Sequence, residues 1–543
     1  MHRNIFNHIP SVRRRLPEGQ PFSKSGVIGA AGNEGSVSNK TINQRHHIIF
    51  CCESQLRREV GAYTKELDFT NSANLMAKNI FTMVPFESLG RAISFAIALY
   101  ASVFLGQIIY NLFFSPLRKY PGPRSAAVSR LFITNHLLRG TQVYWLRDLH
   151  KKYGHIVRVA PDQLSFTDER AWLDINGSTP AAKYGMPKDE RLNDLVGGDT
   201  INPDSSKSRA EQKHTQMRKA FAPGLTKSAL KQQNQLIQGH VNELMDVISE
   251  RGCFGETPVD LVEMFNFVAY NIFSDLLLGE SFDLFKNPTY VPWVHSIKGF
   301  AMATMRMGSL QHFAIARYVL AFIITRFGKK YRDAFMDVCF ERFDARMARK
   351  SEHPDLMFFA TAEKKRRGEQ QLPIKDMRDF SPFLMLAGGE TTPTLLSGLI
   401  FCLLNHPDKL SRLIDEVRTS FEGDQDITME KVFGLEYLNV CIDETLRIYP
   451  PIAAGVERVV PKGGAPIAGH IVPGKTIVLV PTYATHHQPL NFTSAGEFIP
   501  ERWLPDAGTE FLSDRKNACR AFSVGPHACF GQEYVPSSLV VSC

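Results

Sequence analysis

From Ala92 to Phe114 the chain reads AISFAIALYASVFLGQIIYNLFF, 23 residues without a charge. As a helix this run is roughly 34 Å long, against a bilayer hydrocarbon core of about 30 Å. The pattern predicts a transmembrane helix over 90–114, with a buried core helix as the competing reading. Its polar exceptions, Gln107 and Asn111, fall near the C-terminal end, where a headgroup region could meet them. Arg118, Lys119 and Arg124 follow directly, which by the positive-inside rule places the C-terminal side in the cytosol.

Beyond the apolar run the periods change. Pro116, Pro121 and Pro123 predict an extended, semi-rigid link over 115–124. The stretch HIVRVAPDQLSF (155–166) alternates and predicts paired strands turning at Pro161-Asp162. From about Glu211 to Phe401 most windows carry a helical period, and a Gly-, Pro- and Val-rich region from Pro450 to Pro481 reads as strands and turns again. The architecture expected is mainly α with a smaller β part, in one large domain over 125–531.

Charge changes the picture only at the N-terminus. The net charge is +8, but residues 1–82 hold 11 Lys/Arg against 6 Asp/Glu, leaving the remainder at 52 against 49. A nearly neutral body excludes nucleic acid as the expected partner. The polar segment 1–82 is expected to be disordered or untranslated, since a start at Met83 would leave a short leader before the apolar run. The nine cysteines show no CxxC spacing, so reduced thiols in a cytosol-facing domain are expected.

Three stretches carry candidate chemistry. In SPFLMLAGGETTPTLLSGLIFCLLNHP (381–407), Gly388, Gly389, Thr391, Thr392 and Pro393 interrupt an apolar helix. Pro393 offers no N–H to the Gly389 carbonyl, so the segment reads as a kink with a polar notch, or as a helix that ends at Gly389 and restarts at Thr392. In CIDETLRIYPP (441–451), Glu444 and Arg447 share a helix face, and Arg502 in FIPERWLP (498–505) could complete a buried ion network. In FSVGPHACFG (522–531), Cys529 sits in a tight glycine-bounded loop. An inert buried thiol, a nucleophile beside His527, a zinc ligand and an iron-bound thiolate are the readings in play, zinc failing for want of further ligands.

AGGETT, ETLR, PERW and FSVGPHACFG, in that order within one domain, resemble the cytochrome P450 family over roughly residues 90–531. The resemblance implies the P450 fold with a single-pass N-terminal membrane anchor. It implies haem b with Cys529 as its axial thiolate, Phe522 packed beneath the ring, and Gly525 and Gly531 bending the loop so that amides reach the sulfur. The groove from Ala387 to Thr392 would lie over the ring, where Glu390 and Thr391 would deliver protons to dioxygen. His214 and Arg218, in KHTQMRKAF (213–221), and Arg458, in GVERVVP, match propionate-binding positions, and His527 stands where the family usually carries arginine. Glu444, Arg447 and Arg502 resemble the structural triad that supports the haem loop.

Position within the family suggests Ile452 to Val456 and Met302, Met305 and Met307 as walls for a lipophilic small molecule, ordinary packing being the other reading of the methionines. NLFFSPLRKYPGP and AFSVGP look like fungal microsomal members, trichothecene hydroxylases among them. The resemblance therefore implies an endoplasmic reticulum membrane location and electrons from NADPH through the membrane-bound reductase, docking near Arg515, Lys516 and Arg520. After Gly531 the segment 532–543, QEYVPSSLVVSC, stands where the family has a long helix and a hairpin. That departure admits an alternative: a truncated, haem-free and inactive membrane protein, or a misread gene. A haem-thiolate gas sensor is disfavoured by Glu390 and Thr391.

Overall fold

A computed structural model describes residues 86–534, apart from 181, 184, 190–206, 324–325, 327–328, 350–352, 368–371 and 424–425. The 1–82 extension and the tail beyond Tyr534 lie outside the described residues. The helices of eight residues or more are, in chain order, α1 Phe86–Ile109, α2 Leu131–Leu138, α3 Gln142–Tyr153, α4 Lys207–Phe221, α5 Asn234–Arg251, α6 Leu261–Leu278 and α7 Val291–Leu310. They continue with α8 Ala314–Ile323, α9 Lys329–Ala348, α10 Leu356–Arg367, α11 Ile374–Leu404, α12 Pro407–Ser420 and α13 Glu436–Ile448. The small β part is a four-stranded sheet and a hairpin.

The chain divides into a unit ending at Gly106, whose described part is helix, and a unit from Gln107 onward. Ile93–Phe114 is long and apolar enough to cross a membrane, and its residues are exposed apart from the buried Asn111 and the half-buried Ile108 and Leu112. Two details depart from the sequence expectation. The α-helix ends at Ile109, and Tyr110–Phe114 is a π turn in which Asn111 is buried, its carbonyl accepting from Arg158 Nη1 at 2.9 Å. Asn111 is therefore taken up by the folded domain and not by headgroups. The link 115–124 is not wholly extended either: Pro116 occupies the first turn of a 3-10 helix, Pro116–Lys119, where a missing N–H costs nothing and the Ser115 side chain accepts from Leu117 N.

The alternating stretch forms β1 (Ile156–Ala160) and β2 (Gln163–Phe166), an antiparallel pair turning at Pro161-Asp162. Downstream come β3 (Arg458–Val459), the hairpin β4 (Ala465–Ile467) with β5 (His470–Val472), and β6 (Ile477–Leu479). β6 runs parallel to β2 and antiparallel to β3, giving the order β1-β2-β6-β3. The sheet thereby joins chain segments some 300 residues apart.

The main core is helical and centres on α6 and α11. α6 is the second helix apolar enough to span a membrane, but it is largely buried inside the domain. Asp260 caps its start by accepting from Val262 N and Glu263 N, and Gly279 in the left-handed region ends it. α11 runs unbroken through Pro382 and Pro393, which decides against a stop at Gly389. Three hydroxyls answer carbonyls one turn back: Thr391 donates to Ala387 O, Thr394 to Glu390 O and Ser397 to Pro393 O, at 2.7 to 2.8 Å.

Candidate active site

Gly388 and Gly389 owe their size to packing. A Cβ at Gly388 would collide with the Phe273 ring, and one at Gly389 with Tyr270, both on α6. The two glycines thus let α6 and α11 approach, and the open part of the motif is Ala387 and Thr391, one turn apart on a partly exposed face. Glu390 turns towards α6, where Tyr270 Oη donates to its Oε1 at 2.9 Å. Burial raises the Glu390 pKa, opposed by Lys298 and the Tyr270 bond. Tyr270 itself is driven well above its ordinary range, by burial first and by Glu390 second.

The cysteine loop is fixed by its own backbone. Cys529 N donates to Phe522 O at 2.8 Å, and Ala528 N to Gly525 O at 3.0 Å across the 3-10 turn Gly525–His527. Gly525 has φ +77°, and any Cβ there would strike the Asn176 carbonyl. Cys529 is exposed at the tip, unlike Cys339, Cys402 and Cys441, which are buried. Surrounding atoms nevertheless crowd its thiol enough to push the pKa up, while the Gly531 N–H and the Arg218 guanidinium pull it back. Phe522 packs, half-buried, against the helical core.

Basic groups converge beside this loop. His214 and Arg218 share one face of α4. Arg218 donates to the Ala528 carbonyl and lies 5.8 Å over the Phe530 ring, and the His214 and His527 rings are 4.5 Å apart. Burial, then Lys188, Arg218 and Arg458, lower the His214 pKa to about 4. Burial, then Arg458, His214, Lys188 and Arg218, lower that of His527 to about 3. Burial brings Arg458 down to about 10 and, with Arg458, depresses Lys188. Among the described residues no acid acts on these four groups, and Arg458 Nε and His527 Nδ1 are buried without a hydrogen-bond partner there. Such a cationic cluster fits a dianionic ligand, a requirement that two carboxylates on one cofactor would meet. Lys188, bridged to Arg458 across an isolated β pair, was not singled out in the sequence, because it follows no recognised motif.

Glu444, Arg447 and Arg502 form a buried network joined by Asp514. Arg447 donates to both Glu444 oxygens at 2.7 and 2.8 Å, and Arg502 Nε to Glu444 Oε1 at 3.2 Å. Arg502 also pairs with Asp514 at 2.5 Å, and all four side chains are fully buried. Glu390 and Thr391 share no hydrogen bond with the cysteine loop or with this network. A separate cavity of about 340 Å³ lies between α2, the end of α7 and the segment before β3. Met305, Ala454, Gly455 and Val456 line it, whereas Met302, Met307, Ile452 and Ala453 do not.

Comparison with known proteins gives this arrangement a lineage. The sequence model of the cytochrome P450 family matches residues 123–534. The chain is 36% identical over 427 residues to cytochrome P450 monooxygenase aneG of Aspergillus aculeatus, covering 78% of this chain and 79% of that one. It is 36% identical over 438 residues to cytochrome P450 monooxygenase AMT3 of Alternaria alternata, covering 78% and 86%. It is 33% identical over 431 residues to the trichothecene C-15 hydroxylase of Fusarium sporotrichioides, covering 78% and 85%. With the family model matched over most of its length and such relatives aligned along the same domain, the chain belongs to the cytochrome P450 family.

Proposed function

We propose that this P450 monooxygenase inserts one oxygen atom from O2 into a lipophilic small molecule of fungal secondary metabolism, with haem held by Cys529. The observation that carries the assignment is the exposed Cys529 beside a cluster of basic groups with no acid among the described residues that act on it. Haem, when bound, supplies the redox chemistry that activates oxygen. The chain's own residues do the rest. Arg218, Arg458, Lys188, His214 and His527 orient the propionates. Gly525 and Gly531 shape the loop, and the Gly531 amide stabilises charge on sulfur. Phe522, packed against the helical core, would support the ring. Thr391 holds a hydroxyl proton against the Ala387 carbonyl, and Glu390, kept protonated more readily by burial, is the proton donor behind it.

The cavity walls Met305, Ala454, Gly455 and Val456 suit an apolar substrate. The helix Ile93–Phe114 anchors the domain to the endoplasmic reticulum membrane on its cytosolic side, the segment 115–124 links it to the catalytic domain 125–531, and 532–543 follows as a tail. Arg515, Lys516 and Arg520 are exposed and offer a basic face to an NADPH-dependent reductase. The decisive experiment replaces Cys529 with serine. The wild type should give a thiolate-type Soret band after reduction under carbon monoxide, and the variant should lose that band together with oxidation of a test substrate. Retained absorbance and turnover in the variant would remove the assignment.

A further inference from the structure

The bridge between Lys188 and Arg458 is antiparallel, and Val459 N donates to Pro187 O at 2.8 Å beside it. Opposed residues project to the same side and successive residues to opposite sides. Lys188 and Arg458 accordingly turn towards His214 and His527, and Asp189 and Glu457 turn the other way. There they meet His312, in the turn after α7. One ligand atom from each of the three side chains lies within 4.8 Å of the others. Asp189 is 3% exposed, and the His312 and Glu457 side chains are 4% and 17% exposed. His312 Nε2 and Glu457 Oε2 stand 3.8 Å apart, too far for a hydrogen bond. Glu457 Oε1 accepts from Gln163 Nε2 at 2.8 Å, and Arg130 Nη1 donates in turn to Gln163 Oε1 at 2.7 Å. Oε2 is buried with no donor.

We propose that Asp189, His312 and Glu457 bind one divalent transition-metal ion, zinc by preference, with a water completing the site from the cavity side. One imidazole and two carboxylates are a donor set for such ions and a poor one for magnesium or calcium, which take oxygen alone. Bonds of about 2.0–2.2 Å leave tetrahedral ligand atoms about 3.4 Å apart, so His312 and Glu457, now 3.8 Å apart, need close only slightly, and Asp189, with all three ligand atoms within 4.8 Å, comes in by little more than an ångström at most. Gln163 supplies the outer hydrogen bond that holds a liganding carboxylate in place. His312 and Glu457 also line the cavity that Met305 and Val456 wall, so the ion would tie together three segments framing that opening.

The test is calorimetric titration of the haem-loaded full chain with zinc, comparing the wild type with Asp189→Asn, His312→Ala, Glu457→Gln and the surface control His295→Ala. The expected result is one site of micromolar affinity or better, weakened at least about tenfold in each of the three variants and unchanged in the control. The carbon monoxide spectrum verifies that each variant still carries haem. A variant that does not is replaced by Glu457→Asp or His312→Asn, which draw the ligand atom back while keeping a polar side chain. Absence of zinc binding in the wild type, or weakening in fewer than three of the ligand variants, overturns the proposal. Because haem loading is read separately, failure of the metal site leaves the haem assignment untouched, and failure of haem loading is seen before any zinc is added.

Discussion

Replacing Glu444 with glutamine keeps the size of the side chain and removes its charge at a fully buried ionic site. Glu444 receives Arg447 Nε and Nη2, Arg502 Nε, Trp503 Nε1 and the Ile499 amide, at 2.7 to 3.2 Å. As found, two carboxylates, Glu444 and Asp514, balance two guanidiniums. In the variant Asp514 still neutralises Arg502, at 2.5 Å, and Arg447 keeps the carbonyls of His486, Ala495 and Glu497 and one amide oxygen, but no anion. The glutamine NH2 must also face guanidinium or indole donors. One uncompensated buried charge costs about 3–5 kcal/mol. Against a typical total of about 5–15 kcal/mol, that lowers the folded-to-unfolded ratio by roughly two to three and a half orders of magnitude. Urea unfolding should be followed by helical circular dichroism and by tryptophan fluorescence, since Trp503 reports on the carboxylate directly and two probes expose any intermediate. The double variant Glu444→Leu/Arg447→Met, which removes both charges, should be less destabilised than Glu444→Gln. A Glu444→Gln midpoint shift worth less than about 1 kcal/mol would refute the account, because a buried charge could not then be uncompensated.

Three further outcomes are expected. Lys188→Met removes a cation from the propionate cluster while keeping its length, and should speed haem transfer to an acceptor protein without moving the Soret maximum; an unchanged transfer rate would count against Lys188 as a propionate partner. The triple change Arg515→Glu, Lys516→Glu and Arg520→Glu should slow reductase-driven turnover most at low salt and leave peroxide-driven turnover alone; equal rates at all ionic strengths would dispose of that docking face. Stability should fall with pH below about 6.5. His150, 1% exposed and held between Gly154 O and Ser165 Oγ, has its pKa lowered to about 4, chiefly by burial, and His486 is lowered to about 3. Both native values lie below the unfolded one, so the unfolded chain binds more protons in this window and acid favours it. His150→Gln should flatten the decline between pH 6 and about 4 in urea midpoints, and an identical profile would exclude His150 as its source.

How far the sequence could be read follows from the range of each interaction. Alternation in 155–166 is local, and both strands and their turn stand where it places them. The pairing of β2 with β6 joins residues some 300 apart and leaves no trace in either segment alone. Glu444, Arg447 and Arg502 are brought together as their motifs suggest, but Asp514 belongs to no motif and its part emerges only when Arg502 is seen to need a second anion. The glycine pair read as a notch in α11 meets Tyr270 and Phe273, more than a hundred residues upstream, and no local pattern announces that contact. Pro116 and Asn111 were misjudged for the opposite reason, since rules for isolated segments ignore the domain that encloses their ends.

The pairing of residues 187–189 with 457–459 has a consequence for tolerance to change. Because the side of projection is set by counting along the backbone, removal or insertion of a single residue in one segment would exchange that segment's acid and base. A carboxylate would then confront the histidines of α4 and the cysteine loop, and a lysine or an arginine would enter the cavity wall. Individual substitutions here leave the sorting intact, so this short pairing should accept altered chemistry far more readily than altered length.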